Sequence, residues 1–197
     1  MKKIAITGTI GSGKTECSRI IKKLGYTVFN CDEEVNNIYM SNHPDLINLI
    51  DVFPDAYNDG IWDKKVIATI VFNDAFKKKQ LEAIIYPILL NKMQEAMKMN
   101  GAYFFAEVPL LFQIGWEQYF DEILVITCDD EVAIKRLVDY RHMDLNDAKL
   151  RLQNQKTISN KIESNVKFIY NNKDVIDLEK QVIDWLEKEI INDGTKS

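Results

Sequence analysis

Residues 8–15 read GTIGSGKT and fill the pattern G-x-x-x-x-G-K-[ST] without a gap. Gly8, Gly11 and Gly13 permit a turn sharp enough to aim successive backbone N–H groups, those of Thr9, Ile10 and Ser12 among them, at a phosphate chain. The donors continue through Lys14, Thr15 and Glu16 into the positive end of the helix that follows. Lys14 can reach the β- and γ-phosphates, and the Thr15 hydroxyl can ligate Mg²⁺. With 8 glycines in 197 residues, a chance glycine-rich turn accounts poorly for so complete a match. The chemistry indicated is the holding of a nucleotide by its phosphates.

Two carboxylates stand where they could act on such a nucleotide. Asp32, in FNCDEE, follows a predicted strand and could take a proton from an acceptor hydroxyl or hold a water on Mg²⁺. It equally suits the N-cap of the next helix, and the two roles can coexist. Glu107 ends the apolar run 103–106, in the position of a Walker B acid near the metal or the substrate. The alternative there is a buried acid paired with a lysine, with Lys14 as the obvious candidate. Pro109, Leu110, Leu111 and Phe112 then form a rigid apolar loop suited to a flat or extended substrate, although core packing explains them as well.

Of four arginines, Arg136, Arg141 and Arg151 share one short segment, and Arg19 is the fourth. Arginine offers a rigid fork of donors to phosphate oxygens, so the segment is a candidate phosphate clamp, or a chance cluster in a lysine-rich chain. Other classes fall away. Asn172-Lys173-Asp174-Val175 misses the guanine signature N-K-x-D, and no D-x-x-G occurs, which argues against a GTP switch. Residues 20–135 contain no arginine, which weakens a mononucleotide acceptor. His43 and His142 form no metal or nucleophile arrangement with other residues, and no histidine near Ser12 would make it a nucleophile.

The elements that must position these groups alternate. Periodicity predicts strands at 2–7, 26–30, 103–108, 122–128 and 166–170. Helices are expected at 15–24, 32–40, 63–72, 75–99 with an interruption near Pro87, 130–140, 145–155 and 177–191. His43-Pro44 interrupts the second helix or a successor, and from there to Asp63 the chain reads as irregular, with turn signals at Pro54 and Asn58-Asp59-Gly60. Strand–helix alternation predicts an α/β fold, a parallel sheet flanked by helices on both faces, with ligands at the carboxyl ends of the strands. The long helical stretch between the second and third strands reads as an insertion over that edge.

A hydrophobic content of 46% can build one core, and a net charge of −5 with pI near 5.2 argues against nucleic-acid or anionic-membrane binding. Cys17, Cys31 and Cys128 show no C-x-x-C spacing, which points to a reducing compartment and no zinc site. No run approaches the roughly 18 apolar residues of a membrane span. The apolar start breaks at Gly8, unlike a signal peptide. A cytoplasmic protein, monomeric or weakly self-associating, is expected.

Several separated segments together resemble the dephospho-CoA kinase family, over about residues 4–187. ITGTIGSGKT is similar to the family's phosphate loop, and LGYTVFNCDEEV to its "LG…V-D-A-D" segment. GIWDKKVIATIVFND resembles "G…D-R…L…VF", LEAIIYPILL resembles "LE…I-H-P", and FFAEVPLLFQIG resembles "D-x-P-L-L-F-E". KRLVDYR and RLQNQ are similar to the lid's "RL…R" and "R-I…Q", and Tyr170-Asn171-Asn172 to a late "N-x-G". The resemblance implies a P-loop NTPase-type core (1–30, 101–135 and 164–197), a helical substrate-binding insertion at about 31–100 and a small helical lid at about 136–163. It implies ATP with Mg²⁺ on Thr15, and transfer of the γ-phosphoryl group to the ribose 3′-hydroxyl of dephospho-CoA, giving CoA and ADP. Asp32 would be the general base, Lys14 and Arg141 catalytic partners, and Arg136 a further ATP contact. Tyr86, Pro87, Glu107 and residues 109–112 would seat the acceptor. The chain departs from the pattern at Asn30 (for Asp), Tyr86 (for His), Lys64 (for Arg) and Glu107 (for Asp). Those departures leave two further readings open, a related kinase for another hydroxyl or a nucleoside phosphate, and a non-catalytic ATP-binding protein.

Overall fold

The structure, a computed structural model, describes residues 1–99, 101–155 and 164–194. The chain divides into two units, one of Met1–Phe29 with Asn100–Ser197 and the other of Asn30–Met99.

The first unit is built on a five-stranded sheet. Its strands are β1 (Lys2–Gly8), β2 (Val28–Asn30), β5 (Tyr103–Glu107), β6 (Glu122–Thr127) and β7 (Val166–Tyr170), in the order β2-β5-β1-β6-β7. β1 pairs in parallel with β5 and β6, and β7 pairs in parallel with β6. The central strands are buried almost without interruption, as expected of strands covered on both faces. The strand order reverses at β1, so the crevice for a ligand opens beyond its carboxyl end.

On one face, Ile4 and Ile6 of β1 and Leu124 and Ile126 of β6 pack with the apolar stripe Cys17, Ile20 and Ile21 of α1 (Lys14–Lys23). Leu178, Val182 and Leu186 of α7 (Val175–Gly194) complete that core. α7 begins two residues earlier than its periodicity suggests. α5 (Asp130–Arg141) and α6 (Leu145–Asn154) follow β6, and the remainder of the expected lid, 156–163, lies outside the described residues. Among the described residues no helix is long and apolar enough to cross a membrane.

The second unit holds α2 (Cys31–Met40), 3₁₀ turns at Pro44–Leu49 and Pro54–Ala56, a hairpin of β3 (Tyr57–Asn58) and β4 (Ile61–Trp62), α3 (Lys64–Asn73) and α4 (Ala75–Lys98). Asp59 (φ 49°) and Gly60 (φ 84°) are both left-handed, the two-residue turn that matches strand twist, so the expected irregular stretch contains a hairpin. It folds Trp62 onto Tyr57, with ring centroids 4.7 Å apart. Asp63 and Asp74 cap α3 and α4.

The expected interruption at Pro87 does not occur. α4 runs unbroken through it for 24 residues. Proline removes the hydrogen bond that the Ala83 carbonyl would accept, but Ala83 and Pro87 are both exposed, so water can take that carbonyl. Ile85, Ile88, Leu89, Met93 and Met97 keep the opposite face buried.

Candidate active site

β1 ends at Gly8 and α1 starts at Lys14, so the motif forms the loop between them. Gly13 occupies the N-cap with φ 96° and ψ 18°, and no side chain caps the helix. The donors of the first turn are thereby left to the loop or to a ligand. Only glycine fits here, because a Cβ at Gly13 would stand 2.3 Å from Nδ2 of Asn171.

That asparagine braces the loop. Asn171 is 4% exposed, and its Nδ2 donates to the Ser12 carbonyl at 2.8 Å while its own N–H donates to Thr127 O at 2.7 Å. Arg136 in turn donates to Asn171 O and to Lys173 O, each at 2.9 Å. Arg136 is thus bound to backbone carbonyls from one side while it borders a cavity on the other.

The cavity, of about 720 Å³, lies between the phosphate loop with the start of α1, the C-terminal half of α5, and the β7–α7 connection. Lys14, Arg19, Arg136, Arg141 and Lys173 line it against only two carboxylates, Glu16 and Asp174. Glu16 is engaged by Arg19 (Nε–Oε2 2.8 Å), and that hydrogen bond holds its carboxyl below the usual glutamate range. The excess of cations gives the cavity a positive field that suits an anion. Leu137, Tyr140 and Val175 add apolar surface suited to a flat base. Arg151, expected in the clamp, instead pairs with Asp147 within α6 (3.1 Å) and does not line the cavity. An i,i+4 partner on its own helix captures it.

Thr15 lines the cavity, and its hydroxyl donates to Oε1 of Glu107 at 2.8 Å. Glu107 is 2% exposed at the end of β5, beside Ile6. Val108 N–H continues the pairing to Ile6 O at 2.9 Å, which fixes the strand end that carries the carboxylate. Beyond it, Leu111 is fully buried and anchors the loop, while Pro109, Leu110 and Phe112 are half-buried. Lys14, Thr15, Glu107, Arg136 and Arg141 are therefore brought to one end of the sheet.

The other expected residues belong to the second unit. Asp32 is exposed in the first turn of α2 and does not cap it. Asn30 does, accepting from Glu33 N at 3.1 Å, because it stands at the extended residue before the helix. The residue that departs from the family pattern thus supplies the cap. The Tyr86 hydroxyl donates to Glu82 at 3.1 Å, and burial together with that carboxylate pushes the phenol up. Pro87 is exposed.

No motif or spacing marks a role for Asn171, Arg19 or Lys173, nor for Gln155, whose Oε1 accepts from the Ile10 N–H of the phosphate loop at 2.7 Å. Asn171 and Gln155 were visible only as letters within RLQNQ and Tyr170-Asn171-Asn172; their partners lie 159 and 145 residues away.

A family model described as dephospho-CoA kinase matches residues 2–177. A dephospho-CoA kinase of Chlamydia caviae is 35% identical over 141 residues, 68% of this chain and 69% of that one. One of Rickettsia typhi is 29% identical over 187 residues, 92% of this chain and 94% of that one. The solved structure of a dephospho-CoA kinase from Campylobacter jejuni superposes with a TM-score of 0.70 at 28% identity, covering 99% of this chain and 100% of that one. With the phosphate loop, the Thr15–Glu107 pair and the parallel sheet all in place, the chain is a kinase and belongs to the dephospho-CoA kinase family.

Proposed function

We propose that this enzyme transfers the γ-phosphoryl group of ATP to the ribose 3′-hydroxyl of dephospho-CoA, releasing CoA and ADP. The observation that carries the chemistry is the Thr15–Glu107 pair at the rim of a cation-lined cavity behind an intact phosphate loop. The family match over residues 2–177 supports the acceptor.

The loop N–H groups and Lys14 hold the β- and γ-phosphates, and Arg136 and Arg141 neutralise charge along the chain of phosphates. Tyr140, Leu137 and Val175 bound the space for the adenine. The two oxygens of the Thr15–Glu107 pair, 2.8 Å apart, fit Mg²⁺, which takes hard oxygen ligands and few of them from protein. Among the described residues no cluster of three or more acidic, His or Cys side chains could hold a metal, so phosphate and water would complete its shell. Bound there, the ion would screen the β- and γ-oxygens. Thr15 and Glu107 would orient it, and Lys14 would follow the charge as it moves to the leaving oxygen. Asp32 takes the proton of the 3′-hydroxyl. Its exposure and its freedom from capping leave it available for that task. Tyr86, Pro87 and the 109–112 loop seat the acceptor. We place the reaction in the cytoplasm, in keeping with three cysteines that form no disulfide.

Asp32→Asn tests the assignment. Turnover should fall about 10²–10⁴-fold with ATP affinity unchanged by calorimetry. Near-normal turnover would refute the role of Asp32.

A further inference from the structure

The hydrogen bond from Ile10 N–H to Gln155 Oε1 joins the phosphate loop to the end of α6. Because the donor is a backbone N–H, the oxygen end of the carboxamide must face the loop, and this fixes the orientation of the whole group. The NH₂ end, bonded to the same carbon, is then the donor end of a group held at the loop tip. Gln155 is held there from behind. Its own N–H bonds Leu152 O at 3.1 Å, and Leu152 and Ala148 are buried anchors of α6. The adjoining loop residue is equally constrained, since a Cβ at Gly11 would lie 2.8 Å from Ala133 O of α5. Residues 10 and 11, at the tip of the loop, are therefore held between the first turn of α5 and the end of α6. Arg151, one turn earlier on α6, is taken by Asp147, whereas Gln155 at the end of the helix reaches the loop.

We propose that Gln155 distinguishes ATP from ADP. Its Oε1 holds the Ile10 N–H, and its NH₂ group donates to an oxygen of the terminal phosphoryl group. The donors at the start of α1 take the inner phosphates and Lys14 bridges to the terminal group; Gly11 lines the cavity and adjoins Ile10, so a terminal phosphoryl group at the loop end of the cavity meets the tip that Gln155 holds. A neutral amide suits the place, because it satisfies one backbone donor and offers a donor to a polyanion without bringing a charge that must be desolvated. The inference rests on the nucleotide occupying the cavity as proposed above.

The test is calorimetric binding of a non-hydrolysable ATP analogue and of ADP, each with Mg²⁺, to the wild type, Gln155→Glu and Gln155→Ala. Gln155→Glu keeps an acceptor for Ile10 N–H but replaces the donor with a negative charge. It should weaken the triphosphate about tenfold or more and leave ADP within about twofold. Its melting temperature without nucleotide should match the wild type. Gln155→Ala should weaken the triphosphate selectively as well, by less. Equal loss of both nucleotides, an unchanged ratio, or tighter triphosphate binding by Gln155→Ala would each overturn the proposal. The last outcome would mean that Gln155 merely plugs the loop. Failure of the kinase reading shows separately, as a wild type that binds both nucleotides without turning over dephospho-CoA.

Discussion

Two glutamates are buried beside β1, one near each end. Glu107 is 2% exposed at the carboxyl end of β5, and Glu122 is 5% exposed at the amino end of β6. Both must offset the loss of water, and they do so differently. Glu122 is enclosed by Lys2 (3.1 Å), by Trp185 Nε1 (3.0 Å) and by Glu189, which also engages Lys2. Burial, and then the hydrogen bond with Glu189, raises its carboxyl above the ordinary glutamate value. Burial pushes Glu189 up, but the Lys2 ammonium and the hydrogen bond with Glu122 together outweigh it, and its carboxyl is lowered. Glu107 instead accepts from a hydroxyl whose residue borders the cavity. The first carboxylate fastens β1, β6 and α7 together; the second stands beside the cavity, where we propose that it acts on what enters. Burial alone does not mark a functional acid; the chemistry of its partners and the strand end on which it stands do.

Substitutions can break that contrast. Glu107→Gln should cause the largest loss, about 10²-fold or more in kcat, with a raised Mg²⁺ requirement and little change in melting temperature. A pure loss of stability with normal kcat would reduce Glu107 to a core residue. Asn171→Ala should act on both properties. It removes a buried donor to the loop and the Oδ1 that accepts from Arg136 at 3.3 Å, costing about 2 kcal/mol and raising the KM for ATP severalfold. Unfolding and ATP titration of the same preparation measure the two effects.

Glu122→Gln should be the mildest and should leave kcat unaltered. The contribution of the raised Glu122 is full below its unfolded value, ordinarily 4.5, and is lost as pH rises through its folded value. That of the lowered Glu189 is full above 4.5 and is lost as pH falls through its folded value. Thermal unfolding across pH should therefore show the variant without the loss above pH 4.5 and with the acid loss intact, the melting temperature moving by less than about 4 °C near neutrality. Identical profiles for variant and wild type would show that Glu122 is no part of a titrating cluster.

What the sequence revealed follows the same divide. The phosphate loop, the parallel strands and the carboxylate at the end of β5 depend on local spacing and on a period of two or of 3.6, so they were legible. Pro87 misled because the helix rule is local, while the exposure that rescues the Ala83 carbonyl is set by how α4 packs. Asp32 resembles a cap, but the chain enters α2 two residues earlier and Asn30 takes that place. Arg136 lines the cavity, but its bonds to Asn171 and Lys173 reach 35 and 37 residues along the chain, and no spacing rule spans such distances. Gln155 and Asn171 have partners still farther away and gave no signal beyond their letters.

The most direct test is ADP release from Mg²⁺-ATP with and without dephospho-CoA, read together with the mass of the acceptor. The account predicts acceptor-dependent ADP release and the gain of one phosphate on dephospho-CoA. ATP binding with no stimulation by dephospho-CoA and no mass change would contradict it.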